Sequence, residues 1–289
     1  MNAGWKPVLA KVTVLVDNSV MELIPNSPMV QRLSEPCHSF VCEHGFSALI
    51  ETGDRRILID TGSTGVALAH NLNVLGIEPK SIDLICLSHG HSDHTGGLSR
   101  VPGRILTHPD AFHRRFLVTP AGKKYDLTCP DREAIQGRAE FHRGPVPLAP
   151  GVWATGEIPR THDWEPLRVF EIEREGKREP DEVMDDQGIA ISTREGLVVI
   201  AGCSHAGIIN TVEHAVRLSG ISKVFCVLGG FHLIGPAEAK IGQTVQHMQD
   251  LGVQKVMPIH CTGFAGIKQF SERMKGAFEY VTAGCSFEA

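Results

Sequence analysis

Residues 88–97 read Ser-His-Gly-His-Ser-Asp-His-Thr-Gly-Gly, directly after the apolar run Ser81–Leu87. His89, His91, Asp93 and His94 thus form an H-x-H-x-D-H pattern where a strand ends. In an extended or turning segment alternate side chains point the same way, so His89 and His91 can converge on one ion. Asp93 and His94, one turn further, can face a second ion nearby, as in two-metal hydrolases. Glycines at 90, 96 and 97 let the backbone turn sharply. A lone buried histidine is ordinarily a satisfied core residue. A run this dense is not, because burying its members unpaired would cost several kcal/mol.

Upstream, Val12–Val16 reads as a buried strand, and Phe46–Glu51 and Arg56–Asp60 as strands joined by a hairpin at Thr52-Gly53-Asp54. Gly65–Leu75 has helical periodicity and stops at Gly76. Downstream, Arg104–Thr107 is a further strand. From 186 the alternation resumes. Strands Ile189–Ser192, Leu197–Ala201, Val224–Leu228 and Lys255–Ile259 interleave with helices Ile208–Ser219, Ala237–Leu251 and Gly266–Met274, and Tyr280–Thr282 reads as a short final strand. Two halves with similar βα alternation predict an α/β sandwich forming a single domain over 1–289. Between them, about 108–185, the chain is rich in proline and in both signs of charge, which predicts an inserted cap whose most mobile stretch is 165–182.

Hydrophobic residues make up 42% and charged residues 21%, an ordinary globular composition that excludes disorder, collagen and coiled coil as whole-chain descriptions. A net charge of -5 argues against a nucleic-acid partner bound by bulk electrostatics. No apolar stretch is long enough to cross a bilayer, and the N-terminus lacks a signal peptide's apolar region, so a cytoplasmic protein without a membrane partner is expected. The 8 cysteines, at 37, 42, 86, 129, 203, 226, 261 and 285, include no C-x-x-C pair and read as reduced thiols. Against 2 Tyr and 3 Trp there are 15 His, so imidazole is present for more than its ring. Phosphate loops of the Walker or dinucleotide type and the G-x-S-x-G nucleophile motif are absent.

The SHGHSDHTGG motif, with Leu58-Ile59-Asp60-Thr61-Gly62 upstream, resembles the metal-binding signature of the metallo-β-lactamase fold superfamily. The resemblance implies a four-layer αββα sandwich. It also places Asp60 at a strand end from which it would orient the ligand histidines from behind, although Asp60 by itself also reads as a turn residue before Thr-Gly. His260, in Pro258-Ile259-His260-Cys261-Thr262-Gly263, resembles the superfamily's closing histidine ligand. His205 and His232 likewise follow apolar strands and are flanked by glycine.

Where the superfamily pattern has a bridging Asp, often after Gly, this chain shows Gly202-Cys203-Ser204-His205. Either Cys203 or His205 then takes a ligand place. His205 is preferred because a neutral imidazole needs no deprotonation, and Cys203 reads as a small buried thiol. His232 stays open between ligand, substrate contact or acid/base, and packing residue. Glu157 lies where the pattern's other histidine falls and is a candidate oxygen ligand.

The segments DDQGIAI (185–191), GLVVIAGCSHAGIINTVEHA (196–215), LGGFHL (228–233) and HCTG (260–263) narrow the resemblance. They are similar to the branch of the superfamily that includes 7,8-dihydropterin-6-methyl-4-(β-D-ribofuranosyl)aminobenzene-5′-phosphate synthase. What this implies is a metal-dependent enzyme with one or two divalent ions. Zinc is expected, and iron, manganese and nickel also suit His and Asp ligands. Its substrate would be a phosphate-bearing small molecule, hydrolysed or used to transfer a dihydropterin to an arylamine, with Asp93 and His232 in catalytic roles. His108, Arg114, Arg115 and Arg160 are candidate substrate contacts, since guanidinium binds phosphoryl oxygens bidentately. Arg114-Arg115 and Lys123-Lys124 read equally as solvated charge. Other classes kept open are a non-catalytic metal-binding or sensor protein and an iron redox protein, and an oligomer is compatible with all of them. His38, His44, His70, His142, His162, His214 and His247 read as surface or packing residues.

Overall fold

Strands that bury both faces read as continuous apolar runs, as Gly188–Ser192 and Leu197–Ala201 at the centre of one large sheet do. The computed structural model describes residues 5–34, 39–119, 121–130, 132–235 and 238–289; Cys37, His38, Asp131 and Ala237 lie outside them. The first sheet has eight strands, in the order Gln31–Arg32, Cys285–Glu288, Lys11–Val16, Ser47–Thr52, Arg55–Ile59, Leu84–Cys86, Arg104–Thr107, Ala139–Phe141. The second has six, in the order Val146–Ala149, Val152–Ala154, Gly188–Ser192, Leu197–Ala201, Val224–Gly230, Lys255–Ile259.

The period of two along each strand sorts its side chains into layers. Ile57 and Ile59 point between the sheets, where they join Ile189, Ile191, Val198, Ile200 and Leu228 from the opposite sheet. Leu58 and Leu49 face the other way, with Leu68 and Leu72 of helix Val66–Val74. Leu197 and Val199 face outward under Ile208–Ser219, Glu238–Asp250 and Gly263–Arg273. Each such buried Leu, Ile or Val contributes about 1.5–3 kcal/mol. The result is helix, sheet, sheet, helix: the four-layer αββα sandwich.

Strand direction places the site. Arg55–Ile59, Leu84–Cys86 and Arg104–Thr107 run parallel, in register Ile59↔Cys86↔Leu106. Leu197–Ala201, Val224–Gly230 and Lys255–Ile259 are also parallel, with Ile200↔Leu228↔Met257. All the segments that follow these carboxyl ends emerge at a sheet edge, where open α/β sheets bind ligands.

Two expectations change. The last strand is Cys285–Glu288, paired as Lys11↔Glu288 and Val12↔Phe287, rather than Tyr280–Thr282. The chain turns between them at Gly284, φ 84°, and only the later segment finds main-chain partners on both sides. Within 108–185, a separate antiparallel sheet runs Lys177–Pro180, Phe170–Arg174, Arg114–Val118, Lys124–Asp126. The remaining strands of that stretch belong to the sandwich itself. Ala139–Phe141 extends the first sheet, and Val146–Ala149 and Val152–Ala154 form one side of the second. Among the described residues, no helix is long and apolar enough to cross a membrane.

Candidate metal centre

The loop after Leu84–Cys86 is held open by a buried carboxylate. Asp60 accepts from Ser88 N–H at 2.7 Å through one oxygen, and its other oxygen lies 2.6 Å from Ser88 Oγ and 2.7 Å from His94 Nδ1. Ser88 Oγ in turn sits 2.9 Å from His89 Nδ1. One carboxylate therefore fixes the ring of His94 directly and that of His89 through a hydroxyl, leaving both Nε2 atoms facing inward. Gly90 is required next to them, because a Cβ there would lie 1.9 Å from Ala111 O. Gly90 N–H also donates to Asp185 Oδ2 at 2.8 Å, tying the loop to the start of the second half.

Donor atoms converge at two places. His89 Nε2 lies 3.0 Å from His91 Nδ1 and 3.2 Å from His205 Nε2. Cys203 Sγ lies 3.1 Å from His94 Nε2 and 3.3 Å from His260 Nε2, and Asp93 Oδ2 is 3.4 Å from that same His260 nitrogen. Ligand atoms of Asp93, His94, Cys203 and His260, and those of His89, Cys203 and His205, lie within 4.8 Å of one another. A further group joins Cys203, His232 and Cys261. His91 Nε2, His205 Nδ1 and His232 Nδ1 are buried and have no hydrogen-bond partner. Neutral imidazoles whose nitrogens crowd one point cannot satisfy one another, whereas a cation between them can, so these residues fit divalent ions.

Protonation follows the same division. Burial drives His89, His91 and His205 well below the usual imidazole value, so they are neutral, the ligand form. In the metal-free chain burial also disfavours charge on His94, but the Asp93 and Asp60 carboxylates outweigh it and raise it to about 9. Asp93 is opposed by burial too, and His94 and His260 hold it well below the ordinary carboxylate range. Burial pushes the metal-free Cys203 thiol up.

Backbone strain concentrates here. Asp60, Ser204, His232 and His260 have left-handed φ values of 55°, 57°, 46° and 51°. Non-glycine residues hold such conformations where surrounding structure over-determines them, commonly at functional sites. At His260, N–H donates to Asp17 Oδ1 at 2.9 Å and Nδ1 lies 3.0 Å from Asn18 Oδ1.

Above the donors lies a cleft of about 370 Å³, lined by His44, Ser63, His91, Ser92, Asp93, Leu117, Leu127, Leu167, Val169, Phe170, Cys203, His205, His232, Ile234 and Cys261. No lysine or arginine is among these lining residues. Phe170, from the separate sheet, packs its ring 5.1 Å from His91 and 4.9 Å from His205.

The sequence-predicted residues His89, His91, Asp93, His94, His205 and His260 are thus brought together, with Asp60 behind them and His232 in the cleft wall. Cys203 comes into ligand range as well as His205. The expected substrate contacts are placed elsewhere. Arg115 is fully buried and ion-paired with Asp185 at 2.8 Å and Asp181 at 3.5 Å, so it holds protein carboxylates and not a phosphate. Arg114 pairs with Asp126 and Glu173 on the outer side of its sheet. Arg160 donates to the carbonyls of Ile158, Glu182 and Val183. His108 is engaged by Glu157 Oε1 at 2.8 Å, and Glu157 itself is taken by His108 and Arg143 and belongs to no ligand group.

Reasoning from sequence missed Asp17, Asn18, Asp185 and Phe170, and read His44 as peripheral although its Nε2 lies 3.4 Å from Asp93. Of these, Asp185 had a signal, since it opens the segment DDQGIAI (185–191).

Residues 41–114 match the family model for the Metallo-beta-lactamase superfamily. The chain belongs to that superfamily. It is 38% identical over 267 residues, 85% of this chain and 90% of the relative, to the 7,8-dihydropterin-6-methyl-4-(beta-D-ribofuranosyl)-aminobenzene-5′-phosphate synthase of Methanocaldococcus jannaschii. It is 36% identical over 242 residues to an uncharacterized protein of the same organism, covering 81% of this chain and 89% of that one. The crystal structure of Tm1679, described as a metal-dependent hydrolase of the β-lactamase superfamily, matches with a TM-score of 0.80 at 28% identity, over 97% of this chain and 99% of that one.

Proposed function

We propose that the protein is a metal-dependent enzyme that transfers a dihydropterin from its diphosphate ester to an arylamine. The observation that carries this reading is the cleft: metal-ligand groups at its floor, an aliphatic and aromatic wall above, and no lysine or arginine in its lining. A substrate with a flat organic part and an anionic end matches that division, with the anion directed to the floor. Divalent ions held there would neutralise and polarise the oxygens of a phosphate group. This revises the expected source of phosphate binding from arginines of the inserted segment to the ligand groups themselves.

The chain's own residues do the rest. Asp60 and Ser88 set the rings of His94 and His89. Phe170, Val169, Leu117 and Leu167 hold the ring system and exclude water from it. His232 lines the cleft and its Nδ1 has no hydrogen-bond partner, which supports giving this residue the role of proton acceptor. In the transfer a C–N bond forms between the arylamine and the exocyclic methylene as the C–O bond to diphosphate breaks. The proton released from the arylamine nitrogen passes to His232.

A second reading, hydrolysis, is favoured by the likeness to Tm1679. Metal-loaded protein incubated with a dihydropterin diphosphate, with and without a ribosylated arylamine phosphate, separates the two by mass spectrometry. A condensed product that forms only with the amine is expected. Diphosphate release without amine would replace transfer by hydrolysis, and absence of turnover in both would overturn the substrate class.

A further inference from the structure

Cys203 stands out because its sulfur is common to every ligand group of the centre. On one side are His94, His260 and Asp93, and on the other His89 and His205. The two imidazoles nearest to it have fixed tautomers. His94 Nδ1 is directed to the Asp60 carboxylate. His260 Nδ1 faces Asn18 Oδ1, and that amide is oriented because its oxygen also accepts from Gly45 N–H. Both Nε2 atoms therefore present lone pairs toward Sγ when neutral, at 3.1 and 3.3 Å. With metal–sulfur and metal–nitrogen bonds of about 2.3 and 2.0 Å, ligands of one tetrahedral ion sit roughly 3.5 Å apart, close to the separations seen here.

Charge points the same way. A histidine binds an ion as the neutral imidazole, so in the group of His89, Cys203 and His205 the sulfur is the one donor able to bring a negative charge. An uncompensated charge in a buried place is costly. His91, 3% exposed, adds an unpartnered Nε2 in the cleft lining.

We propose that Cys203 is a bridging thiolate, its sulfur bonded to two divalent ions at once. The inference rests on the metal-dependent reading above and names the ligand joining its two sites. The thiol proton leaves to solvent as two sulfur–metal bonds form, and no oxidation state changes. A sulfur bridge favours thiophilic ions such as Zn²⁺, Co²⁺ or Fe²⁺ over Mg²⁺ or Ca²⁺.

Titrating the metal-free full-length protein with Co²⁺, and recording bound metal and the near-ultraviolet sulfur-to-cobalt charge-transfer band, tests this without any substrate. The expected result is a band that grows across two equivalents. Cys203→Asp should keep two cobalt ions and lose the band, while Cys261→Ala should keep it. If the aspartate variant fails to fold by circular dichroism, Cys203→Ser replaces it, with the band again lost. A band complete after one equivalent would make Cys203 a terminal ligand and overturn the bridge. So would a band that survives at position 203 variants or disappears in Cys261→Ala. Two bound cobalt ions with no band would overturn the bridge and leave the metalloenzyme standing; no bound cobalt would sink both.

Discussion

The two halves of the sandwich furnish the centre in different ways. The first half delivers His89, His91, Asp93 and His94 from one loop after one strand, braced from behind by Asp60. The second half delivers Cys203 and His205, His232, and His260 from the ends of neighbouring parallel strands. The first arrangement is set by local spacing and so tolerates little change within six positions. The second is set by register, because Ile200, Leu228 and Met257 sit side by side and whatever follows each must emerge at the same edge. Register leaves the direction of each side chain undetermined. That is resolved by left-handed backbone at Ser204, His232 and His260, a cost of about 1–3 kcal/mol each that the surrounding packing offsets.

If local density makes the first half the anchor, changes there should have the largest effect. His91→Ala and Asp93→Ala are expected to abolish turnover and lower metal content, with the circular dichroism spectrum retained. Either variant keeping full activity while metal-free would break the comparison and the functional proposal together.

The next effect lies where the halves are joined. Arg115 is sealed between Asp181 and Asp185, and Asp185 holds Gly90 N–H. Arg115→Met leaves both carboxylates buried without a countercharge, and a broken buried pair costs about 3–5 kcal/mol. Urea unfolding should show that loss, whereas Arg114→Ala, at a half-exposed pair, should change stability by about 0–1 kcal/mol. Equal small effects at both positions would mean that the segment is solvated charge after all.

How far the sequence was readable follows from the same contrast. The H-x-H-x-D-H loop declares itself because four donors within one turn have no other economical use. Most sandwich strands and helices were legible from apolar periodicity, and several matched to the residue, such as Leu197–Ala201 and Ile208–Ser219. The substrate contacts were not legible. Arg114 and Arg115 are adjacent and chemically alike, yet strand alternation sends one to solvent and the other into the protein, and the carboxylates that capture Arg115 lie some 70 positions away. Asp17 and Asn18 were invisible for a related reason: they meet His260 only because Lys11–Val16 ends beside it. His44 looked isolated because its partner Asp93 is distant in sequence.

Asp60 sharpens the comparison at intermediate scale, since it braces first-half ligands without touching an ion. Asp60→Asn keeps the shape and removes the charge that fixes the His94 tautomer. Loss of such a partner typically lowers metal affinity about 10–100-fold. Competition with a chromophoric chelator would measure it, and an unchanged affinity would show that the loop needs no bracing.

The smallest effect belongs to the second half, beneath the segment that carries Cys203 and His205. Glu165 is buried against the first turn of helix Ile208–Ser219, where its oxygens accept from Ile209 N–H at 3.0 Å and Asn210 N–H at 2.8 Å. Burial raises its carboxyl from 4.5 to about 7, with the two helix N–H groups pulling the other way. A raised value means that the folded state holds the proton more tightly than the unfolded chain does. The stabilisation it gives is therefore complete below about pH 4.5 and lost as pH rises through about 7. For one group the slope cannot exceed about 1.4 kcal/mol per pH unit. Glu165→Gln carries no titrating proton, so the stability of the native protein relative to this variant should fall across that window and level off above it. A difference that stays flat would show that the helix terminus keeps Glu165 ionised throughout, making it a permanent anchor for the second half in the way Asp60 is for the first.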